Sequence, residues 1–322
     1  MNFRNKMNKE SNLTKYDRIR GAIVGFALGD ALGLGSEFMT KEEMQGYYPD
    51  KLRDFKSIIR DSHRCQWKPG EVTNDTHFFC TLLETILANG GYDLNVCAKA
   101  FIDKRRNTSK DIVPTFRTLL AFPNWEESPL VNTHKIWAHH GIEEGTNEAN
   151  HRGIALALMF DRIGLDDMVK QLVLMTHDDM RCVASTIILS HMAHSLLHTG
   201  MPATEKDLMS VCYAYDTRTV PFLEMAINGK LEDFELDDED SMGWTRKNMG
   251  SALWTVWHCD NAADSIYAVI DEAGDADSNG AITGALAGLR FGYDALPDIK
   301  NDLIDKDYFD DLARRVAAFS DK

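Results

Sequence analysis

Two short stretches set oxygen-bearing side chains directly ahead of apolar helical runs. In "GEVTNDTHFF" these are Thr73, Asn74, Asp75 and Thr76; in "GDADSNGAITGALAGLRFG" they are Asp275, Asp277 and Ser278. Carboxylate, amide and hydroxyl oxygens are the donors that hard divalent cations such as magnesium and manganese prefer. The alternate carboxylates of Asp275 and Asp277, with the adjacent Ser278 hydroxyl, could converge on one ion. The same residue types also cap helices, where they satisfy free N–H groups and set negative charge at the positive end of the dipole. Taken singly, each stretch reads as a cap. Two of them in one chain favour an ion, and further carboxylates stand elsewhere: Asp30 and Glu37 in "GDALGLGSEFM", and Asp111 in "SKDIVPTFRTLL".

The elements that must position these groups are helical nearly throughout. "TLLETILANG" keeps its apolar residues on one face and stops at Asn-Gly, and "MRCVASTIILSHMAHSLLHTG" stops at Gly200. Strict alternation is scarce, "FKSII" being the best candidate for a strand. "AFPNWEESPLVNTHKIW", with its prolines, and the acidic "GKLEDFELDDEDSMG" read as surface loops. The fold class is all-α, with residues 1–16 expected as a flexible N-terminal segment and 17–322 as one domain. His191, His194 and His198 recur at helical spacing and read as the lining of an amphipathic face; His134, His139 and His140 fall in an expected loop.

Glycine recurs every four residues at Gly21, Gly25, Gly29 and Gly33, and again at Gly280, Gly284, Gly288 and Gly292. On a helix this spacing makes a stripe nearly free of side chains. Each glycine costs about 1 kcal/mol of helix stability relative to alanine, so close backbone packing is expected to offset it. If the two stripes face each other antiparallel, the end of the first helix meets the start of the second. Glu37 would then approach Asp275, Asp277 and Ser278.

The 50 acidic and 35 basic residues give a formal net charge of −15, which argues against general nucleic-acid binding. The six cysteines lie far apart without a C-x-x-C pair, as expected for reduced thiols in a cytoplasmic protein. The polar N-terminus lacks a signal-peptide core, and no apolar run is long enough to span a membrane.

Taken together and in order, "RIRGAIVGFALGDALG", Glu37, "GEVTNDT", "KDI" and "GDADSNGAITGALAGLRFG" resemble the ADP-ribosylglycohydrolases, from about Arg18 to Pro297. "TNEANHR" is similar to the family's Asn-Gly-x-x-Met-Arg segment, and "LMTHDDMRCVAST" to its Thr-His stretch. The resemblance implies a compact all-helical fold around a binuclear centre of two Mg2+ or Mn2+ ions. Its ligands would fall on Thr73, Asn74, Asp75, Asp275, Asp277 and Ser278. Glu37 would belong to a substrate-gating loop, and Asp111 falls where some members carry a catalytic carboxylate. The base that activates water is left open among Asp275, Asp277 and Asp111. Asp30, Gly33, Gly35, Asn147, Arg152 and His177 are the candidates for holding substrate, the diphosphate lying on the amides around Gly33 and Gly35.

The implied reaction cleaves ADP-ribose from a modified protein or small molecule. Three positions depart from the family pattern: Asn74 where aspartate is usual, Glu148 for glycine and His151 for methionine. An amide oxygen can bind a hard cation but brings no charge. Asn74 therefore keeps a second reading open, a relative that binds ADP-ribose without hydrolysing it. A phosphoesterase is a third.

Overall fold

A computed structural model describes residues 13–106, 110, 114–140 and 145–321. The chain winds through α1 (Lys15–Gly33), α2 (Lys41–Tyr47), α3 (Asn74–Asn89), α4 (Leu94–Arg106), α5 (Pro114–Ala121) and α6 (Pro129–His140). It continues with α7 (Asn150–Met159), α8 (Leu165–Leu174), α9 (Met180–Thr199), α10 (Glu205–Tyr215) and α11 (Val220–Asn228). It closes with α12 (Thr245–His258), α13 (Ala262–Asp271), α14 (Ala276–Phe291) and α15 (Lys306–Ser320). Among the described residues the extended structure amounts to two isolated bridges, Met39 with Gly274 and Thr146 with Trp244. The expected all-α class holds.

Three helices are buried on all sides and form the centre: α1 from Gly21 to Gly33, α9 from Arg181 to Ala193, and most of α14. A helix that is apolar all round must be covered all round, and the remaining helices supply the cover. The expected stops are present, since α3 ends at Gly90 and α9 at Gly200, both left-handed.

The α1–α14 pair is the most extensive helix contact among the described residues. It is antiparallel and runs glycine on glycine. A Cβ built on Gly21 would stand 2.4 Å from the Gly288 carbonyl oxygen, on Gly25 2.2 Å from that of Gly284, and on Gly29 1.9 Å from that of Gly280. The reciprocal approaches are equally short, and at Gly33 the facing carbonyl belongs to Ala276. Backbone meets backbone along the stripe, and the dispersion and Cα–H···O contacts of that approach offset the poor helix propensity of glycine. The register sets the C-terminal end of α1 beside the N-terminal end of α14, as the spacing predicts.

Three local expectations are corrected. "FKSII" forms a 3-10 turn at Phe55–Ser57, capped by Asp54, because Phe55 is drawn into the core. The segment expected as a proline-rich loop is mostly helical, Pro129 occupying the first position of α6, where its missing N–H does no harm. Trp125 is fully buried there, and its indole N–H donates to Thr133 Oγ1 at 2.8 Å. His134 and His139 thus lie on α6. In the acidic segment the carboxylates face outward while Leu231, Phe234 and Leu236 are buried, so it is anchored rather than simply solvated. All six cysteines are free thiols. Among the described residues no helix is long and apolar enough to cross a membrane.

Candidate functional site, a buried carboxylate cluster

Asp30, one turn before the end of α1, is fully buried and turned toward the start of α3. It accepts the Thr73 N–H at 3.0 Å, the Thr76 N–H at 3.2 Å and the Thr76 hydroxyl. It is a capping carboxylate supplied by a different helix, favoured by the free N–H groups and the dipole of α3. Burial pushes its pKa up to about 6, against the pull of these hydrogen bonds. Asp30 is therefore a positioning residue, and the substrate contact expected of it is replaced by a structural one. Replacing it with alanine leaves two backbone donors without their acceptor. Asp30→Ala should cost ~1–3 kcal/mol in urea unfolding and weaken divalent-cation binding in calorimetry, because Thr73 and Asp75 lose their anchor.

So docked, α3 delivers Thr73, Asn74 and Asp75 to the start of α14. The Thr73 hydroxyl donates to Asp277 Oδ2 at 3.3 Å, and Thr73 and Asn74 are buried. Asp275 stands at the cap position of α14 but makes no capping hydrogen bond to that helix. Its Oδ2 instead accepts from Asn147 Nδ2 at 2.6 Å. Asp275 thus holds the N-cap position without a capping hydrogen bond to a backbone N–H of that helix. Asp277 is 3% exposed and is held well above the usual carboxylate range, first by burial and then by Glu37, Asp275, Asp75 and Asp30. Burial also raises Asp275, eased by hydrogen bonds with Asn147, Asp277 and Ser278. Like charges gathered in a buried place strongly favour a proton or a cation. The donors are all oxygen, which fits magnesium or manganese better than softer metals.

Glu37 completes the cluster from the turn that follows α1. That turn is tied down by Phe38 N–H donating to Gly274 O at 2.7 Å and by Gly274 N–H donating to Met39 O at 2.9 Å. Two residues that sequence reasoning missed also hold it. Arg64, buried at the start of the 3-10 turn Arg64–Gln66, donates Nε to the carbonyls of Leu34 and Gly35 at 3.0 Å and another N–H to the carbonyl of Glu37. His63 Nε2 lies 2.7 Å from Glu37 Oε2. The ring of Phe38, at φ 60° and largely exposed, leans on His63 at 5.5 Å.

The diphosphate seat expected around Gly33 and Gly35 is not formed. The amides of Gly35, Ser36 and Glu37 donate to the carbonyls of Leu32, Gly33 and Gly33, so the turn spends its own donors. Gly33 and Gly35 are required instead for close approach, to Ala276 and Asp277 in one case and to Leu52 and Ile58 in the other. Asp111 lies outside the described residues.

A model of the ADP-ribosylglycohydrolase family matches residues 11–322. The chain belongs to that family. It is 27% identical over 293 residues to the ADP-ribosylarginine hydrolase Tri1 of Serratia proteamaculans, covering 87% of this chain and 73% of the relative. It is 26% identical over 292 residues to the ADP-ribosyl-[dinitrogen reductase] glycohydrolase of Rhodospirillum rubrum, covering 88% of each. A solved structure described as an ADP-ribosylglycohydrolase-related protein complex superposes with a TM-score of 0.71 over 95% of this chain and 99% of that one, at 22% identity, and so shares the fold.

In this member of the ADP-ribosylglycohydrolase family, Arg152 and His177 lie behind the cluster rather than in it. Both are 0% exposed. Arg152 donates to Leu172 O at 2.5 Å and to Thr176 Oγ1 at 2.6 Å. His177 links Thr176 Oγ1, at 2.7 Å from Nδ1, to Thr146 Oγ1, at 2.9 Å from Nε2. Burial holds His177 well below the ordinary imidazole range, so it is neutral, and lowers Arg152 to about 10, which leaves it charged. The relay ends one residue before Asn147, the residue that grips Asp275. Arg152 and His177 are here held by Leu172, Thr176 and Thr146, which places them in support of the segment that carries Asn147. A second missed network underlies the site: Asn150 donates to Asn248 at 2.8 Å, and Asn248 donates to Asn279 at 3.0 Å, joining α7, α12 and α14.

Proposed function

We propose that the chain is a metal-dependent hydrolase that cleaves the glycosidic bond between ADP-ribose and a modified protein side chain or small molecule. The observation that supports it most is the meeting of Glu37, Thr73, Asp75, Asp275 and Asp277, drawn from three separate elements, in one buried place. Thr73, Asn74, Asp75, Asp275, Asp277 and Ser278 would hold two Mg2+ or Mn2+ ions. Bound there, such ions orient ribose hydroxyls and lower the pKa of a coordinated water. Asn147, by donating to Asp275 Oδ2, fixes the orientation of the Asp275 carboxylate. Glu37, paired with His63, is placed to accept a hydrogen bond from a ribose hydroxyl. A carboxylate, Asp275, Asp277 or Asp111, takes the proton of the attacking water as the anomeric carbon gains oxocarbenium character.

ADP-ribosylarginine is the first substrate to test, since the relatives at 26–27% identity are named for arginine and dinitrogen-reductase adducts. Intact ADP-ribose should be released only with added divalent cation, and chelation should stop it. Release of AMP or phosphate would point to a phosphoesterase instead.

Asn74 supports the second reading, a relative that binds ADP-ribose without turnover, because it supplies no charge where two cations need it. Asn74→Asp should tighten the weaker metal site by ~10-fold, as ligand charge tunes such sites, and raise turnover at limiting magnesium. Unchanged affinity in calorimetry would show that the amide is no handicap.

A further inference from the structure

At the far end of α9 a second group of ligand atoms comes together. The N-terminal half of α9 lies under the carboxylate cluster, where the Thr186 hydroxyl donates to Asn150. Its C-terminal end packs near Arg18, whose guanidinium is what a side chain on Gly200 would strike. Along α1, Arg18 is about 18 Å from Asp30 at 1.5 Å per residue. Here His194 and His198 lie one turn apart on the same face of α9, and Asp161 reaches them from the turn between α7 and α8. One ring nitrogen from each histidine and one oxygen of Asp161 all lie within 4.8 Å of one another, the one such trio of His, Cys, Asp or Glu ligand atoms among the described residues. The rings are 4.2 Å apart and tilted by 30°. His194 Nε2 is shielded from solvent and has no hydrogen-bond partner. A shielded polar atom of this kind ordinarily has a partner, and a bound ion is one that fits.

The chemistry differs from that of the cluster. Two imidazole nitrogens and one carboxylate oxygen suit zinc, nickel or copper and are poor ligands for magnesium. The neighbouring cations are already engaged. Arg162 pairs with Asp166 at 2.6 Å, and Lys15 with Asp321 at 3.1 Å. His191 is bound to Asp166 at 2.9 Å and takes no part.

We propose that Asp161, His194 and His198 form a transition-metal site of the zinc type that fastens the turn after α7 to the last turns of α9. The sequence alone reads these histidines as a plain amphipathic face, because nothing local announces that Asp161 folds onto them. The site is independent of the hydrolase reading.

The test is a zinc titration by chelator competition, in excess magnesium to occupy the oxygen cluster, followed by cobalt substitution with its visible absorption as reporter. The full chain should retain one zinc, melt at higher temperature with it, and give a cobalt band typical of nitrogen ligation. Outer-shell changes alone weaken metal sites by ~10–100-fold. His194→Ala and His198→Ala should therefore lose ~100-fold or more, and Asp161→Asn less. His198 is exposed, so its removal leaves the packing intact. Zinc binding that survives in the His194→Ala/His198→Ala double variant, or that magnesium displaces entirely, would overturn the proposal.

Discussion

Gly25→Ala is expected to destabilise the fold by about 3 kcal/mol, although alanine is the better helix former by ~1 kcal/mol. The added Cβ would sit 2.2 Å from the Gly284 carbonyl oxygen and 2.9 Å from its carbon. The obstacle is the backbone of a buried helix, which cannot turn aside as a side chain would. Relief requires α1 and α14 to part along their length, and the neighbouring glycine contacts would part with them. Activity should fall too, since Glu37 hangs from one helix and Asp277 from the other, and a displacement of ~1 Å at a reacting centre can cost ~100-fold. Gly46→Ala is the control. Gly46 lies in α2, and a Cβ added there would meet nothing within 4 Å, so the substitution should be neutral or stabilise by ~0.4–1 kcal/mol. Urea unfolding of both variants checks the pair, and equal midpoints would contradict the account of the stripe.

Asp277→Asn separates activity from stability. ADP-ribose release should drop by ~100–1,000-fold or more, the scale of losing one preorganised electrostatic group. The metal-free variant, however, should melt no lower than the parent at neutral pH, and above it if repulsion dominates. Asp277 is held well above the ordinary range by burial and by surrounding carboxylates, so its ionised form opposes folding. The sign follows from proton linkage. A carboxyl whose folded pKa is raised keeps a proton that the unfolded chain has already released, so stability falls as pH rises through that interval. For Asp30 the interval runs from 3.8 to about 6. The metal-free chain should therefore lose stability across it, while saturating magnesium should flatten the profile by neutralising the cluster. A melting temperature that climbs through the same interval without metal would contradict this assignment.

Much of this was legible in the residues. The four-residue glycine spacing carries the pairing, because few other patterns give two helices the same bare stripe, while its antiparallel direction is a supposition that the structure bears out. Thr73 to Asp75 and Asp275 to Ser278 declare helix starts by their chemistry. What no local pattern could reveal is where a side chain is spent. Asp30 resembles a site residue until its oxygens are found on the amides of α3, and Arg152 until Leu172 and Thr176 are found to claim it. His63 and Arg64 belong to a single short 3-10 turn whose place is set by the turn it embraces. Pro129 misled in the opposite direction, since proline marks a helix start as readily as a loop.

The union of α1 and α14 also dictates an order of events in folding. Arg18 and Leu289 are hydrogen-bonded across 271 residues of sequence. At synthesis rates of roughly 5–20 residues per second, α1 leaves the ribosome tens of seconds before its mate exists. Throughout that time α1 has only the partial cover of earlier elements such as the start of α3, and closing so long a loop is slow. The nascent chain thus passes through a stage that invites chaperone custody, and the carboxylate cluster arises only when the last gap in the centre closes.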